Sequence, residues 1–439
     1  MKICIVNHRY FVSGGPERYM FGVTKLLEDR GHEVVPFSVA YRANESSPWS
    51  PYFARPIAGA DEVAFRQQRR TPQALWRSAE RAVYSTDVYR SLRRLVADAR
   101  PDVALVLHYL RKLSPAVLPA LYDAEVPIVA RLSDFGMLCP QSHMLRNDRP
   151  CESCVRDGLW QSVHYRCVQN SYAASAIGAA ALSLTRRRGL FDLVETFIAP
   201  SETMRQKMIE AGYTHQRLVH LPTFVEARQG LPFESRKAQV CYVGRLERTK
   251  GVHVLVQAMA LLGGRIGPEK VQLVIAGDGD PAYRDQLQRH VAERGIRGVT
   301  FVGALDSDGV LSLLGSSLVS VVPSLWYENL PNAMLESFAC GTPVVASDLG
   351  SMRETLAGVD AGLLFAPGDA SALAATLLTL LGDAERTSRM GERARRLALE
   401  RYAPAAHTDS LLDVLRRARY TRCRRAPRQQ LFGTRPATS

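Results

Sequence analysis

The stretch Pro323-Ser-Leu-Trp-Tyr-Glu-Asn-Leu-Pro-Asn-Ala-Met-Leu-Glu336 holds two glutamates, Glu328 and Glu336, eight positions apart. An apolar, strand-like run at 318–322 precedes it, and a helix-like run covers 332–340. The first glutamate therefore falls in a loop at the carboxyl end of a strand, and the second falls one to two turns into the next helix. Open α/β sheets bind ligands in the crevice at that end. Two carboxylates beside a helix N-terminus favour a ligand with hydroxyls at both ends and an anionic middle, such as a nucleotide-sugar.

Strand-like and helix-like runs alternate along the whole chain of 439 residues, which predicts an α/β protein of two doubly wound parallel-sheet domains. The predicted strands of the first half span 2–6, 33–39, 103–107, 127–132 and 196–199. Those of the second half span 240–243, 272–276, 300–302, 318–322, 343–347 and 362–365. We expect a first domain over 1–225, a second over 226–403, a helix over 404–417 that returns to the first domain, and a basic tail over 418–439.

Composition indicates the cellular compartment in which the protein is expected. Hydrophobic residues make up 46% of the chain, enough for two cores, yet no apolar run approaches the length of a transmembrane helix. The chain begins at Met1 and enters its first strand at once, so no signal peptide is expected. These features predict a cytoplasmic protein, in which the eight cysteines are reduced or bound to metal rather than paired in disulfides.

The net charge of +13 is concentrated at the C-terminus, where residues 416–439 hold eight arginines and no acidic residue. Two interpretations stay open. The tail is either a solvated end or a contact with the anionic inner face of a membrane, where each basic residue contributes roughly 1 kcal/mol. Nucleic acid is not expected as a partner, because no recognition helix or aromatic-basic alternation accompanies the arginines.

Two loops have the composition of phosphate-binding turns. Gly14 and Gly15 follow the first strand and open a helix with Pro16 near its start, so the backbone can approach a phosphate at the helix N-terminus. A tight strand-to-helix turn is the plainer explanation of the glycines. Arg245 and Lys250 follow the first strand of the second domain, where both can reach a diphosphate. Taken singly, either is explained equally well as a surface charge.

These motifs together resemble glycosyltransferase family 4 (glycosyl transferases group 1), the retaining, nucleotide-sugar-dependent enzymes with the GT-B fold. The resemblance rests on motifs that occur in the family's order: Gly14-Gly15, Gly244-Arg245, Lys250-Gly251, Ala276-Gly-Asp-Gly279, Glu328 with Glu336, and the run 338–347. It implies two Rossmann-like domains that face each other across a cleft, with the donor in the second and the acceptor in the first. It also implies transfer of a hexose-type sugar from a UDP-, GDP- or similar nucleotide to a hydroxyl, with retention and an α-linkage.

The resemblance further implies roles for single residues. Arg245 and Lys250 would hold the diphosphate, Glu328 would contact sugar hydroxyls, and Glu336 would accept hydrogen bonds from the ribose hydroxyls. The backbone of Asn329, Leu330 and Pro331 would lie near sugar and phosphate. Two residues of an earlier strand, Val302 and Gly303, would lie near the nucleobase. The implied donor site is Gly14, Gly15, Arg245, Lys250, Val302, Gly303, Glu328, Asn329, Leu330, Pro331 and Glu336. No cofactor is required, and the acceptor would be a glycan, a lipid-linked molecule or a small molecule.

One departure concerns catalysis. The family usually has histidine followed by aspartate at the end of a first-domain strand, but here Ser133 precedes Asp134. A serine is not a base near neutral pH without help. His108, at the end of the preceding strand, is the nearest replacement, although a histidine there is also explained as a structural residue. The catalytic candidates are therefore Glu328, Arg245, Lys250 and His108, with Ser133 and Asp134 on the acceptor side.

Three rival functions remain, of which nucleic-acid binding rests on the arginine-rich tail alone. A catalytically weak partner subunit would bind the nucleotide-sugar without turnover, and Ser133 motivates that alternative. A nucleotide-sugar epimerase with the same fold would need no acceptor and should carry extra carboxylates in the first-domain cleft.

A cysteine cluster interrupts the alternation of strands and helices. Cys139, Cys151, Cys154 and Cys167 have the spacing C-x11-C-x2-C-x12-C, whose central pair is typical of a metal knuckle. Structural zinc and free thiols are both open, and disulfides are less favoured. Any metal here would hold an irregular loop in place and would take no part in catalysis.

Two Asp-x-Asp patterns do not indicate a catalytic metal. Asp278-Gly-Asp280 ends a predicted strand, and Asp306-Ser-Asp308 precedes a predicted helix, where aspartate is a favoured cap.

Overall fold

A computed structural model of the chain describes residues 1–57, 59, 72–226, 231–266 and 271–424. Two six-stranded parallel sheets, each covered by helices, form the molecule. The first sheet has the order β2-β1-β3-β4-β7-β8 and the second has the order β11-β10-β9-β12-β13-β14. A two-stranded antiparallel hairpin, β5-β6, lies between the fourth and seventh strands of the sequence.

The strands are β1 (Lys2–Asn7), β2 (Glu33–Phe37), β3 (Val103–His108), β4 (Ile128–Arg131), β5 (Leu145–Arg146), β6 (Arg149–Pro150), β7 (Thr196–Ala199), β8 (Leu218–His220), β9 (Lys237–Val243), β10 (Gln272–Ala276), β11 (Val299–Gly303), β12 (Ser317–Val322), β13 (Val344–Ser347) and β14 (Gly362–Phe365). Most are buried apolar runs, as expected for parallel strands covered on both faces.

The α-helices are α1 (Gly15–Glu28), α2 (Pro72–Val83), α3 (Thr86–Ala99), α4 (Val117–Tyr122), α5 (Ser153–Arg156), α6 (Gln161–His164), α7 (Tyr172–Arg187), α8 (Glu202–Glu210), α9 (Val252–Ile266), α10 (Pro281–Glu293), α11 (Ser307–Ser316), α12 (Asn332–Ala339), α13 (Gly350–Leu356), α14 (Ala370–Leu381), α15 (Ala384–Arg401) and α16 (Pro404–Arg424). Short 3₁₀ helices span Ser50–Tyr52, Leu190–Leu193, His215–Arg217, Phe233–Ser235 and Arg248–Lys250.

Strand order locates the ligand crevice of each sheet. In the first sheet the order reverses between β1 and β3, and in the second it reverses between β9 and β12. Ligands of open α/β sheets bind outside the carboxyl ends of the strands at such reversals. The loops after β1, β3, β9 and β12 are therefore the ones that the topology brings to the two crevices.

Strand β8 and the conformation of the cysteine-rich segment, both in the first domain, were not predicted from the sequence. Strand β8 is only three residues long and lies at the sheet edge, so it lacks the buried apolar run that marks the other strands. Seven non-glycine residues of the cysteine-rich segment have left-handed φ angles, which explains why neither strand nor helix periodicity described it. They are Ser142, Met144, Asn147, Asp148, Arg166, Gln169 and Asn170.

The C-terminal helix α16 crosses back to the first domain. Its residues Leu411 and Leu415 are fully buried in a cluster with Ile3 and Met20. The helix is longer than the predicted 404–417, because it continues to Arg424. Two of the tail arginines form ion pairs, Arg416 with Asp413 and Arg419 with Asp102. The part of the predicted tail beyond residue 424 lies outside the described residues, as do 227–230 of the predicted linker.

Among the described residues, no helix combines the length and apolar character needed to cross a bilayer.

A buried histidine should make the docking of α16 sensitive to pH. His407 is 4% exposed, and its ring is 3.1 Å from the Tyr19 hydroxyl and 2.7 Å from the Pro222 carbonyl oxygen. Burial lowers the pKa of His407 from 6.5 to about 4. Between those values the unfolded chain binds more protons than the folded one, so stability present at neutral pH is lost as pH falls below about 6.5. The full loss is roughly 3 kcal/mol.

We expect His407→Gln to flatten the dependence of the unfolding free energy on pH between 7 and 4, because its amide keeps hydrogen-bonding capacity but does not titrate. Urea denaturation at several pH values measures the slope. His215→Gln, on an exposed histidine, is the matched control and should keep the wild-type slope. Equal slopes for His407→Gln and wild type would contradict the assignment.

Candidate active site

The N-termini of two helices, α1 in the first domain and α12 in the second, face each other across the cleft. A Cβ added at Gly15 would lie 3.3 Å from the Asn332 side-chain nitrogen. One turn into each helix, Arg18 donates to Glu336 over 2.9 Å. Helix N-termini favour anions, because their first amides and the helix dipole are directed toward the ligand. The predicted glycine turn and the predicted second glutamate are thus brought together.

Glu336 is paired across the cleft in a way that the sequence did not predict. Burial raises the pKa of its carboxyl group, and the Arg18 guanidinium lowers it only in part, so the net direction is upward. A carboxylate in this position has oxygens that can accept hydrogen bonds from two neighbouring hydroxyls. Arg18 contacts only Oε1, so a ligand that bonds to that oxygen competes with Arg18.

Glu328 is buried, with 7% of its surface exposed, in the loop between β12 and α12. Its Oε1 atom accepts hydrogen bonds from Lys250 Nζ at 2.6 Å, Ser324 Oγ at 2.6 Å and Trp326 Nε1 at 2.9 Å. Burial raises the pKa of this carboxyl group, but Lys250 and the two neutral donors outweigh burial and hold the net pKa below its usual value. The group is therefore an ionised, oriented carboxylate.

Lys250 is held by the backbone around it. The 3₁₀ turn Arg248–Lys250 ends at Gly251, whose φ of 69° is in the left-handed region. The Leu325 amide donates to the Thr249 carbonyl oxygen over 2.9 Å, which joins this turn to the loop that carries Glu328. The structure thus pairs Lys250 and Glu328 directly. The resemblance had implied separate roles, with Lys250 on the diphosphate and Glu328 on the sugar hydroxyls.

Arg245 is the most solvated of the predicted donor residues with a charge. Its guanidinium contacts Glu247 at 2.8 Å, and the side chain is 52% exposed. Its carbonyl oxygen accepts from the Tyr242 hydroxyl, which fixes the backbone of this loop.

Four of the remaining predicted donor residues lie in the loops where the two domains face each other, and the other two lie at the edge of the second sheet. Asn329 reaches across the cleft and donates to the Leu132 carbonyl oxygen over 3.2 Å. Leu330 is buried, and Pro331 is the residue immediately before α12. The remaining pair, Val302 and Gly303, ends the edge strand β11, with Val302 exposed and Gly303 in a left-handed conformation. Gly14 caps α1 beside the Glu17 carboxylate.

On the acceptor side the structure joins two residues that the sequence singled out separately. His108 Nε2 lies 3.2 Å from Asp134 Oδ2, and Arg111 lies 3.5 Å from the same oxygen. Burial raises the pKa of Asp134, but His108, Arg111 and the Gly136 amide together lower it far below its usual value. Ser133 donates its hydroxyl to the Leu107 carbonyl oxygen over 3.1 Å, a bond that holds two strand ends together.

The four clustered cysteines, Cys139, Cys151, Cys154 and Cys167, form no disulfide and line one cavity of about 10 Å³. A hydrogen bond between Cys154 and Cys139 lowers the pKa of Cys139 and raises that of Cys154. As the side chains are placed, no three histidine, cysteine or carboxylate groups within the described ranges could hold a metal ion. Structural zinc therefore stays a prediction.

The Asp-x-Asp patterns have local roles. Asp280 accepts from the Ala282 amide at the start of α10, and Asp306 accepts from the Gly309 amide at the start of α11. Both bonds are helix caps.

Sequence reasoning assigned no role to several residues of this site. Arg18 lies three residues after Gly15, and its position one turn into α1 is the signal that could have identified it. The donors Ser324 and Trp326 lie two to four residues from Glu328, within the quoted stretch. Residues that flank the first crevice, His8, Arg9, Arg111 and Lys112, had no pattern that marked them before the fold was known.

Comparison with protein families identifies the second domain. Residues 224–397 match the model of the family described as glycosyl transferases group 1. The chain carries a glycosyl transferases group 1 domain. That domain contains the loops of Lys250, Glu328 and Glu336.

One of the relatives is similar to this chain well beyond the matched residues. Glycogen synthase of Mycobacterium tuberculosis is 36% identical over 171 residues, which cover 37% of this chain and 40% of the relative. This chain thus spans about 40% of the length of the glycogen synthases that it matches. Phosphatidyl-myo-inositol mannosyltransferase of Mycolicibacterium smegmatis is 27% identical over 391 residues, 87% of this chain and 85% of the relative.

The fold of the chain is shared with solved structures. HepE of Anabaena, determined in complex with UDP and glucose, has a TM-score of 0.64 and 18% identity, and the match covers 95% of this chain and 99% of that chain. Together with the two facing parallel sheets, this match confirms the predicted GT-B fold.

Proposed function

We propose that the chain transfers a hexose-type sugar from a nucleoside-diphosphate sugar to an acceptor hydroxyl, with retention, in the synthesis of a glycan, surface polysaccharide or glycoconjugate. The observation that carries the proposal is the arrangement at α12. Its N-terminus faces that of α1, with Glu328 just before the helix and Glu336 one turn inside it. The names of the group 1 family and the relatives, and the UDP in the HepE complex, support a nucleotide-sugar donor.

In this proposal the diphosphate lies between the two glutamates. Lys250 and the helix N-termini offset the negative charge that grows on the leaving nucleoside diphosphate. Arg245, which is exposed to solvent, contacts the diphosphate from the outer side of the site. Glu328 orients sugar hydroxyls and Glu336 accepts from the ribose. Ser133, whose hydroxyl already bonds to a carbonyl oxygen, takes no proton. The acceptor proton passes to the leaving phosphate or to the His108–Asp134 pair.

The test is a panel of UDP-, GDP- and ADP-sugars, followed by thermal shift and by hydrolysis of the donor. We expect one class of nucleotide-sugar to raise the melting temperature of the wild type. Glu336→Ala should weaken the binding of that nucleotide-sugar by roughly 10–100-fold, because the variant lacks a charged hydrogen-bond partner. Glu293→Ala, on an exposed glutamate of α10, is the matched control. The donor site is wrong if no nucleotide-sugar stabilises the wild type, or if Glu336→Ala responds like the control.

The same panel separates the rival functions. A partner subunit would bind the donor without hydrolysis or transfer, and an epimerase would change the sugar of the donor in the absence of any acceptor. The anomeric configuration of the product, measured by NMR, tests retention.

Two proposals accompany this function. The site of action is the cytoplasm, either free or at the anionic inner surface of the membrane through the arginines of the C-terminal tail. Sedimentation with phosphatidylglycerol vesicles, for the full chain and for a chain that ends at residue 424, tests the contact. Elemental analysis of protein purified without a metal-binding tag tests structural zinc, and Cys154→Ser should lose any zinc that is found.

A further inference from the structure

His143 lies in the cleft between the two domains, in the segment that leads from β4 to the β5–β6 hairpin. The Phe135 amide donates to the Ser142 carbonyl oxygen over 3.2 Å, which sets this segment beside Asp134 at the end of β4. The charged groups whose fields reach the His143 ring come from both domains. They are Asp134 and Arg111 on the acceptor side and Arg245 and Glu247 in the donor loop. The ring therefore lies where the two sides of the cleft meet.

The His143 ring packs against a side chain that holds Glu328 in place. The centroids of the His143 and Trp326 rings are 4.8 Å apart, and the two rings are nearly perpendicular, at 85°. Edge-to-face contacts of this kind orient both rings. Trp326 Nε1 donates to Glu328 over 2.9 Å, and the Trp326 ring lies 5.3 Å from the Lys250 ammonium. His143 is thereby one side chain away from the carboxylate that, in the proposed function, orients sugar hydroxyls.

The backbone on both sides of His143 is in the left-handed region. Ser142 has a φ of 70° and Met144 has a φ of 48°. This conformation is unfavourable for residues other than glycine, and it is enriched at functional sites. Met144 is buried in the first-domain core, whereas Leu145 packs against the second-domain core. The two domains together therefore fix the direction of the side chain at position 143.

The β5–β6 hairpin ties the same segment to the second domain. Its two turn residues, Asn147 and Asp148, have φ angles of 52° and 57°, as a type I′ turn requires. Asp148 Oδ2 accepts from Arg248 Nε over 2.9 Å and from Arg248 Nη2 over 2.7 Å. Arg248 begins the 3₁₀ turn that contains Lys250. The segment that carries His143 thus contacts both loops of the proposed donor site.

The nitrogens of the His143 ring are available to a ligand. Within the described ranges of the chain, neither nitrogen has a hydrogen-bond partner, and the residue is partly exposed. Burial lowers the pKa of His143 below its usual value, while the nearby carboxylates and arginines act on that pKa in opposite directions. At pH 7 the imidazole is therefore neutral, with one N–H donor and one acceptor nitrogen. That combination suits a sugar hydroxyl, which can accept or donate.

We propose that His143 binds the transferred sugar, through a hydrogen bond between its ring and a sugar hydroxyl, and so helps to select which sugar is transferred. The inference rests on the proposed sugar transfer, because that function places sugar hydroxyls at Glu328. The contact of His143 with Trp326 then brings the imidazole to the same part of the ligand.

The experiment compares two probes by calorimetry on the full chain. One is the nucleotide-sugar that gives the largest thermal shift, and the other is its parent nucleoside diphosphate. His143→Phe keeps an aromatic ring against Trp326 but has no ring nitrogen. We expect this variant to bind the nucleoside diphosphate like the wild type, and to lose about tenfold in affinity for the nucleotide-sugar and in kcat/KM. His143→Gln, whose amide both donates and accepts, should lie closer to the wild type.

His164→Phe, on an exposed histidine of the same cysteine-rich segment, is the matched control. If His143→Phe binds and transfers the sugar like the wild type, the His143 ring only packs against Trp326. If His143→Phe weakens the nucleoside diphosphate as much as the nucleotide-sugar, the substitution merely disturbs the donor loops. Either result overturns the inference.

Mono-deoxy analogues of the same nucleotide-sugar identify the hydroxyl. The loss caused by His143→Phe should disappear for the analogue that lacks the hydroxyl bound by His143, because the two losses are then coupled. A loss that is the same for every analogue contradicts a direct contact. Failure of every nucleotide-sugar to bind the wild type would instead overturn the proposed donor function, and this inference with it.

Discussion

Lys250→Met is expected to lower kcat/KM for sugar transfer by about 10²–10³-fold, because it removes a preorganised cation from the place where charge develops on the leaving diphosphate. The Lys250 ammonium is 2.6 Å from Glu328, and the two side chains are only 19% and 8% exposed. Rates measured with the nucleotide-sugar that gives the largest thermal shift test the expectation. Lys237→Met, on an exposed lysine of β9, is the control.

The same substitution should also destabilise the fold, since it leaves Glu328 buried with only its two neutral donors. Breaking a buried pair in this way typically costs about 3–5 kcal/mol. The folded-state pKa of Glu328 lies below 4.5, so the stability that Lys250 confers is present above about pH 4.5 and is lost as pH falls through the folded-state value. The difference between variant and wild type should therefore shrink in acid.

A double variant separates the two effects. Glu328→Gln in the Lys250→Met background should recover stability, because a neutral amide needs no counter-charge, while activity stays low. Recovery of activity together with stability would show that Lys250 acts only as a structural counter-ion.

Gly251→Ala is expected to destabilise the second domain by roughly 3–5 kcal/mol, through a backbone collision and an unfavourable φ angle together. An added Cβ would lie 1.9 Å from the Pro323 carbonyl oxygen, and the residue has a φ of 69°. The colliding atom belongs to the backbone, so it cannot move away as the end of a flexible side chain can. The collision would push apart the two loops that hold Lys250 and Glu328, so donor binding should weaken as well.

Two other glycines separate the cost of the collision from the cost of the left-handed φ angle. Gly358 has a φ of 73° but open space around it, so Gly358→Ala should cost only about 1–2 kcal/mol for the left-handed backbone. Gly264 has open space and lies within α9, where alanine is favoured by roughly 1 kcal/mol. Denaturant unfolding of the three variants gives the comparison, and similar values for Gly251→Ala and Gly358→Ala would show that the collision is relieved at little cost.

The sequence predicted the sheets well because buried parallel strands are continuous apolar runs between turns. Eleven of the twelve strands in the two large sheets overlap the predicted ranges, and the exception, β8, is short and lies at an edge. The extent of α16 was underestimated, because its arginine-rich end resembles a solvated tail in composition although Arg419 pairs with Asp102.

Site geometry was less accessible for a physical reason. Local patterns place residues at strand ends, but they do not say which strand ends meet. Arg18 and Glu336 are 318 positions apart, and Lys250 and Glu328 are 78 apart. The first pair forms only once the two sheets face each other, and the second only once β9 and β12 have come together in the second sheet.

The bond between Arg18 and Glu336 makes the first domain a competitor of the donor. In the proposed donor site, a ribose that hydrogen-bonds to Oε1 of Glu336 competes with a guanidinium that belongs to the opposite domain. The affinity observed for a nucleotide is then the intrinsic affinity multiplied by the fraction of molecules in which this latch is open. Salt, which screens the latch, and donor, which replaces it, act on one equilibrium. In the proposed function, donor binding therefore exchanges one hydrogen bond between the domains for one to the ligand, while others, such as that of the Thr203 amide to Glu354, stay in place.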